Sequence, residues 1–442
     1  MSTAQKSGVR IVIIGGGIGG LSTGIALKRQ LNFRDFKIYE QSWDISGTWH
    51  HNTYPGCASD VDTHWYSLST DLNPYWKQSH VPQPELKEYW KQLAVKYSLY
   101  DQLVLNRQVT SVDWDNKRQL YRVHSQDTRT KETFLEEAQI VISATGILFV
   151  PFHPAELEGV KAFKGTTFHS ARWDHSVDLH NKRVAVIGNG CSASQFIPII
   201  SEDSTTQIMN FCRSPHWYLQ WSRGAFSKTW QRIFAHVPFV MRMYRNMLMA
   251  RLDLFYVLVF SGENNPRRAK LQKQLAKYIR SQAPPEYHNR LVPDYTLGCK
   301  RFIVDTGYLS ALHRPNLDLN YDGIAGFTDD GIVTKTGEKH SFDVIIFATG
   351  FIVDKYPLKV RGVEGITLQE YYDRKGGPEA YLGVTVPGFP NFYMLGGKRH
   401  VATNSSRLNK KRRSEHNDWS CIGDLYGGGS SRHLLLDASD ER

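Results

Sequence analysis

At 442 residues, 41% hydrophobic and 22% charged, the chain has the composition of a globular protein of about two to three domains with an ample core. Its formal net charge of +11 suits anionic ligands such as nucleotides and permits contact with acidic membranes, but no charge run before residue 410 reads as a nucleic-acid arm. The five cysteines are scattered without a CxxC pair; this argues against a disulfide framework, a structural metal site and disulfide-reductase chemistry, and fits a reduced, cytoplasmic setting.

MSTAQKSGVR has no apolar segment and does not read as a secretory signal, and the longest apolar stretch, near Leu252 to Phe260, is expected to be too short to span a bilayer. The first element is a buried strand, Ile11 to Ile14, running into Gly15-x-Gly17-x-x-Gly20 and a helix-compatible run, Leu21 to Gln30. Gly15 permits the tight turn, Gly17 lets the backbone approach a pyrophosphate, and Gly20 lets the helix pack against the sheet. A second strand, Phe36 to Tyr39, ends at Glu40, 20 residues after Gly20, where a carboxylate can accept from a ribose hydroxyl. Strand, glycines, helix, strand and acid in this order describe a dinucleotide site.

Residues 41–69 are too rich in Gly, Pro, His and aromatics for a regular element, and a long irregular stretch in a compact domain is commonly functional. Pro84 to Tyr97 has the spacing of an amphipathic surface helix. Val109 to Trp114 and Gln119 to His124 alternate like paired strands joined at Asp115-Asn116-Lys117, and Ala138 to Ala144 is a buried strand ending in Ala144-Thr145-Gly146.

The opening unit then recurs. Arg183 to Ile187 is a strand, followed by Gly188-x-Gly190-x-x-Ala193, a short helical run expected to break at Pro198, and a strand Thr206 to Phe211 leading to Arg213. Arg213 again stands 20 residues after the last small residue, but it is a cation. An acid there suits a free ribose hydroxyl, whereas a guanidinium forks onto phosphate oxygens, so the first unit is expected to take FAD and the second NADP(H). As a lone residue, Arg213 would be an ordinary solvated charge.

Residues 222–290 read as helical, with runs at Lys228 to Ala235, Phe239 to Phe260 and Arg267 to Ser281. A strand over Val333 to Lys335 follows, and Asp343 to Phe347 runs into a second Ala348-Thr349-Gly350. The expected architecture is α/β, with two Rossmann-like dinucleotide-binding domains. The NADPH domain (151–330), carrying a helical insertion at about 222–290, is inserted in an FAD domain made of 1–150 and 331–397.

Residues 163–174, FKGTTFHSARWD, fit FxGxxxHxxxW(P/D) at Phe163, Gly165, His169, Trp173 and Asp174, and so resemble the Baeyer–Villiger monooxygenases. N- and S-oxygenating flavin monooxygenases carry a Tyr and a basic residue at the last two positions. Gly47 to Asp60 is similar to that family's second signature at Gly47, Trp49, Tyr54, Pro55, Gly56 and Asp60, with Ser46 departing at a position read as tolerant. Asp343 to Phe351 matches the shared ATG segment. The resemblance covers roughly residues 9–397, looks closest to fungal members over Tyr54 to Ser69, and implies FAD, NADPH, molecular oxygen and a ketone that becomes an ester or lactone.

Such chemistry builds negative charge on oxygen and calls for a fixed cation in a dry pocket. The resemblance assigns that role to Arg301, oriented by Asp60 near the flavin, with Lys300 beside Arg213 on the NADP phosphate. It also implies cofactor contacts from Thr48, Trp49, Tyr66 and Val109. His169 reads as a domain-motion relay or a structural linker histidine. A substrate from secondary metabolism, such as a polyketide, terpenoid or steroid ketone, is an expectation of the same kind. Alternatives are N- or S-oxygenation, or an inactive truncated paralogue. The last arises because the sequence changes character at Lys398, where the family's flavin-closing helix is expected. The stretch from 398 to 442 reads as a disordered, atypical tail with a basic run at Lys410 to Arg413.

Overall fold

The structure, a computed structural model, describes residues 8–153, 159–220, 224–262, 265–353 and 355–395. The tail expected from 398 lies outside these residues. In chain order the first unit holds β1 (Ile11–Ile14), α1 (Ile18–Gln30), β2 (Phe36–Tyr39), α2 (Thr48–His51), α3 (Thr63–Tyr66), α4 (Gln83–Lys96), β3 (Leu103–Val104), β4 (Arg107–Asp115), β5 (Leu120–Asp127), β6 (Thr133–Ala138) and β7 (Ile140–Ser143). The second begins with β8 (Thr166–His169), β9 (Arg183–Ile187), α5 (Cys191–Ile200), β10 (Gln207–Phe211) and β11 (Tyr218–Gln220). A helical lobe follows: α6 (Lys228–His236), α7 (Val240–Phe260), α8 (Pro266–Gln282) and α9 (His288–Leu291). The second unit then continues through β12 (Ile303–Asp305), α10 (Tyr308–Ala311), β13 (Leu317–Asn320), β14 (Ile324–Phe327), β15 (Gly331–Thr334), β16 (Lys339–Ser341) and β17 (Val344–Phe347). The chain closes on β18 (Lys359–Arg361), α11 (Leu368–Lys375) and β19 (Phe392–Met394).

Two parallel sheets organise these elements, in the orders β19-β7-β1-β2-β3 and β13-β10-β9-β17-β8. The strands leading into the two glycine turns, β1 and β9, lie inside their sheets with neighbours on both sides and are almost wholly buried, which is why they read as continuous apolar runs. Each sheet reverses strand order beside its glycine turn, and that switch point leaves a crevice at the strands' carboxyl ends. The chain returns to the first unit through β18, which pairs with β4, and β19, which pairs with β7.

The boundary expected at 330/331 moves. Val344 to Phe347 pairs residue for residue with Val184 to Ile187 and with Thr166 to His169, so the second ATG strand belongs to the second sheet. Each ATG turn seats the first glycine of its own unit. Gly15 has φ +111°, and a Cβ there would lie 2.5 Å from the Ala144 carbonyl oxygen; Gly188 has φ +108° and stands equally close to that of Ala348. The repeated tripeptide thus closes one crevice in each unit.

Helix α5 also runs on through Pro198 to Ile200, past its expected break. Residues 41–69, expected to hold no regular element, contain two four-residue helices, α2 and α3, whereas α4 and the β4–β5 pair stand close to where the sequence places them. On α4, Leu86, Tyr89, Trp90, Leu93 and Ala94 all face the core, and β4 pairs antiparallel with β5. The richness in aromatics serves that core: Trp76, Trp90 and Trp217 are fully buried.

Candidate active site

The two nucleotide crevices are built alike. Helices α1 and α5 have Gly17 and Gly190 at their N-caps, neither is capped by a side chain, and neither has an acid in its first turn. Their leading N–H groups and positive dipole ends are therefore available to an anion. A Cβ on Gly190 would meet nothing within 4 Å, and one on Gly17 only the Gly47 backbone at 3.5 Å, so both turns keep room for phosphates. Ala193, at the third small position of α5, is fully buried against the sheet.

Glu40 is buried at the end of β2. Its carboxylate accepts from the Gly16 N–H at 2.7 Å and the Ser42 N–H at 2.8 Å, which fixes it against the glycine turn. The loop of the second signature crosses directly above: the Ser46 N–H donates to the Gly16 carbonyl at 3.0 Å. Ser46 is fully buried at φ +89°, so the position read as tolerant is a strained one. Thr48 and Trp49 open α2 behind it, and the Trp49 indole N–H donates to the Tyr66 hydroxyl at 3.2 Å. Val109, buried beside a bulge in β4, packs in the core cluster that holds Val12, Ile14 and Tyr39.

In the second unit Arg213 is exposed just beyond β10, and the Lys300 ammonium donates to the neighbouring Ser214 hydroxyl at 2.6 Å. Burial lowers the Lys300 pKa and the charge of Arg213 lowers it further. His216 joins them: burial, then Lys300 and Arg213, bring its pKa down to about 4. The charge of Arg213 thus depresses protonation of Lys300, and both depress that of His216; a phosphate bound here would oppose that effect. The sequence had pointed to Arg213 and Lys300, but nothing in it marked His216.

Arg301 and Asp60 form an ion pair. Asp60 ends the second signature and Arg301 comes from the second unit, so the pair bridges the two units. It lies beside Tyr66 and Cys191, the first residue of α5. Burial raises the Tyr66 pKa, with smaller effects from Asp60 and Arg301, and burial pushes the Cys191 thiol up to about 11, with smaller effects from Arg301 and Asp60. The second signature docks on α5 as well. The Tyr54 hydroxyl donates to the Gln195 side-chain oxygen at 2.9 Å, and the Gln195 amide donates to the Ala58 carbonyl at 3.1 Å. Gln195 had escaped notice; its one signal was a polar residue on the buried face of a nucleotide helix.

The linker fingerprint packs around the same helix. Trp173 lies 5.1 Å, centroid to centroid, from Phe196, which Tyr54 also contacts at 6.0 Å. Phe163 is buried, and a Cβ on Gly165 would collide with its ring and with the Asp343 carbonyl. His169 ends β8 and accepts from the Ala171 N–H at 3.1 Å. Burial holds its pKa at about 4, so it is neutral at pH 7 and has no proton to donate as an imidazolium. Asp174 caps a turn, accepting from the Ser176 N–H and hydroxyl at 2.9 and 2.6 Å.

Comparison with known proteins bears on this arrangement. The sequence profile of the FMO-like family, flavin-binding monooxygenase-like, matches residues 8–364. The chain belongs to the flavin-binding monooxygenase-like family. The monooxygenase is 38% identical over 401 residues to a Baeyer–Villiger monooxygenase of Pseudomonas aeruginosa, covering 90% of this chain and 74% of that one. It is 34% identical over 405 residues to one of Streptomyces coelicolor, covering 90% and 75%. Among solved structures it is similar to the closed form of cyclohexanone monooxygenase, with a TM-score of 0.77 at 25% identity, covering 88% of this chain and 79% of that one. It is also similar to OTEMO in complex with FAD and NADP, with a TM-score of 0.76 at 26% identity, covering 89% and 81%. The expectation of FAD and NADPH agrees with what that structure holds.

Proposed function

We propose that this monooxygenase inserts one oxygen atom beside a ketone carbonyl to give an ester or lactone. Ketone, molecular oxygen, NADPH and a proton become ester, NADP+ and water. FAD, when bound, supplies the redox and oxygen chemistry. The chain's own residues bind, orient and shield. The α1 turn, with Gly15, Gly17 and Gly20, would hold the FAD pyrophosphate and Glu40 its ribose; the α5 turn, with Gly188 and Gly190, would hold NADPH, its extra phosphate on Arg213 and Lys300. An ordered guanidinium can stabilise negative charge building on oxygen, and Asp60 fixes its direction.

The observation that supports the reading is the Arg301–Asp60 pair, which joins a loop of the first unit to the second unit. The Trp173–Asp174 ending of the linker fingerprint favours ketone over N- or S-oxygenation.

The test is a visible absorption spectrum before and after NADPH in air, followed by mass spectrometry of products from a panel of cyclic and steroid ketones. A yellow protein that bleaches, re-oxidises and yields lactone is expected. Arg301→Ala should keep the colour and the bleaching by NADPH while losing ester formation by about a hundredfold or more. A wild-type protein that binds FAD yet converts only amines or sulfides would overturn the ketone reading.

A further inference from the structure

The helical lobe carries a surface that the proposed reaction does not use. Residues 224–282 contain eleven Lys or Arg against two acids, Asp253 and Glu263, a net +9 out of the chain's +11. The other residues together are close to neutral. Nine of the eleven basic side chains are exposed.

Helix α7 runs through this lobe with two apolar faces. One packs inward, burying Leu248, Val259 and Phe260. The other is Met243, Met247, Leu254 and Val257, at 68%, 53%, 57% and 57% exposure. Their spacing of 4, 7 and 3 residues, with Ala250 between, sets them in one stripe about 80° wide at 100° per residue. Such a stripe belongs against an apolar partner, yet here it faces solvent. At the head of the helix Phe239 is 78% exposed and held at φ +67°, a costly conformation for a bulky residue, and Trp230 on α6 is 52% exposed. Although 21 residues long, α7 carries Arg242, Arg245, Arg251 and Asp253, and no helix among the described residues is long and apolar enough to cross a membrane.

An apolar stripe with protruding rings on a strongly basic lobe fits the interface of an anionic bilayer, where the stripe enters the acyl boundary and the cations meet headgroup phosphates. A second copy fits worse, because pairing would bring two +9 lobes together. Nucleic acid fits worse too, since Met, Leu and Val offer bases neither stacking nor hydrogen bonds. We propose that α6 and α7 form a membrane-docking face that lays the Met243–Val257 stripe on an anionic lipid surface.

The experiment is flotation of the full chain with vesicles of phosphatidylcholine alone or with about 30 mol % phosphatidylserine. Co-flotation with the anionic vesicles is expected, weakened about tenfold by about 0.5 M salt. Met247→Glu with Leu254→Glu, both at exposed positions, should weaken it about tenfold without changing the melting temperature. Lys270→Glu, Lys273→Glu and Lys277→Glu together should do the same through charge alone. The proposal is overturned if the wild-type chain ignores anionic vesicles, or if both variants float as it does. A dimer in light scattering that Met247→Glu with Leu254→Glu splits, with no lipid binding, would assign the face to a second copy instead.

Discussion

The Thr306 hydroxyl donates to the Ser194 carbonyl at 2.7 Å, at the place where Pro198 has no amide to offer. A proline inside a helix leaves the carbonyl four residues earlier without its partner and crowds it. Thr306, just beyond β12, supplies the missing donor, and Arg314 donates to the carbonyl of Pro198 itself. This is why α5 reaches Ile200 and keeps Gln195 and Phe196 aimed at the second signature.

Thr306→Val should therefore destabilise the fold by about 1–2 kcal/mol, because it strands a carbonyl at a helix packed on the sheet. Thr306→Ser should cost much less. Urea denaturation of both variants checks this, and equal losses would show that the methyl group matters as much as the hydroxyl.

Ser46 offers the opposite case. Fully buried at φ +89°, it holds a backbone conformation that glycine adopts freely. Ser46→Gly should raise stability by about 1 kcal/mol despite glycine's greater freedom when unfolded, since the relieved strain is the larger effect. Thermal melts decide it: a lower melting temperature would mean that the serine's contacts outweigh its strain.

The proposed phosphate site makes a prediction on cofactor choice. Replacing Arg213 and Lys300 together by Ala removes charge-assisted contacts to a phosphate but leaves the glycine turn untouched. The KM for NADPH should rise about 10- to 100-fold while that for NADH stays within about threefold. If both cofactors weaken equally, the two cations serve the fold and not the phosphate.

Much of this was legible in the sequence because it rests on short-range sterics. The turn at Gly15 needs a residue without a Cβ, and Glu40 follows at a distance fixed by one helix and one strand. What was not legible depends on pairing across the chain. Asp60 and Arg301 are 241 residues apart, and only likeness to a family joined them. Tyr54 and Gln195 are 141 apart, with no local pattern to connect them. The two ATG tripeptides are identical locally, so strand register alone could assign the second to its sheet. Pro198 was read by local rules that Thr306, 108 positions further on, overrides.

Four histidines give the fold an acid limb. Burial is the first cause in each: the pKa of His51 falls to about 3 and those of His64, His169 and His216 to about 4, against 6.5 in the unfolded chain. Between those values the unfolded chain binds more protons than the native one. Stability is thus fully present above about pH 6.5 and is lost as pH falls toward 4. The melting temperature should drop by more than about 5 °C between pH 7 and 5, above the range where carboxylates titrate. His64 is the clearest contributor. It is buried between the rings of Phe226, Phe234 and Tyr244, at 4.7, 5.0 and 5.2 Å, and neither ring nitrogen has a hydrogen-bond partner among the described residues. His64→Phe should raise stability at pH 7 by about 1–2 kcal/mol, since it removes two unsatisfied polar atoms, and should flatten the acid limb. A variant that melts lower at pH 7, or keeps the full pH slope, would show that the ring nitrogens are hydrated in solution.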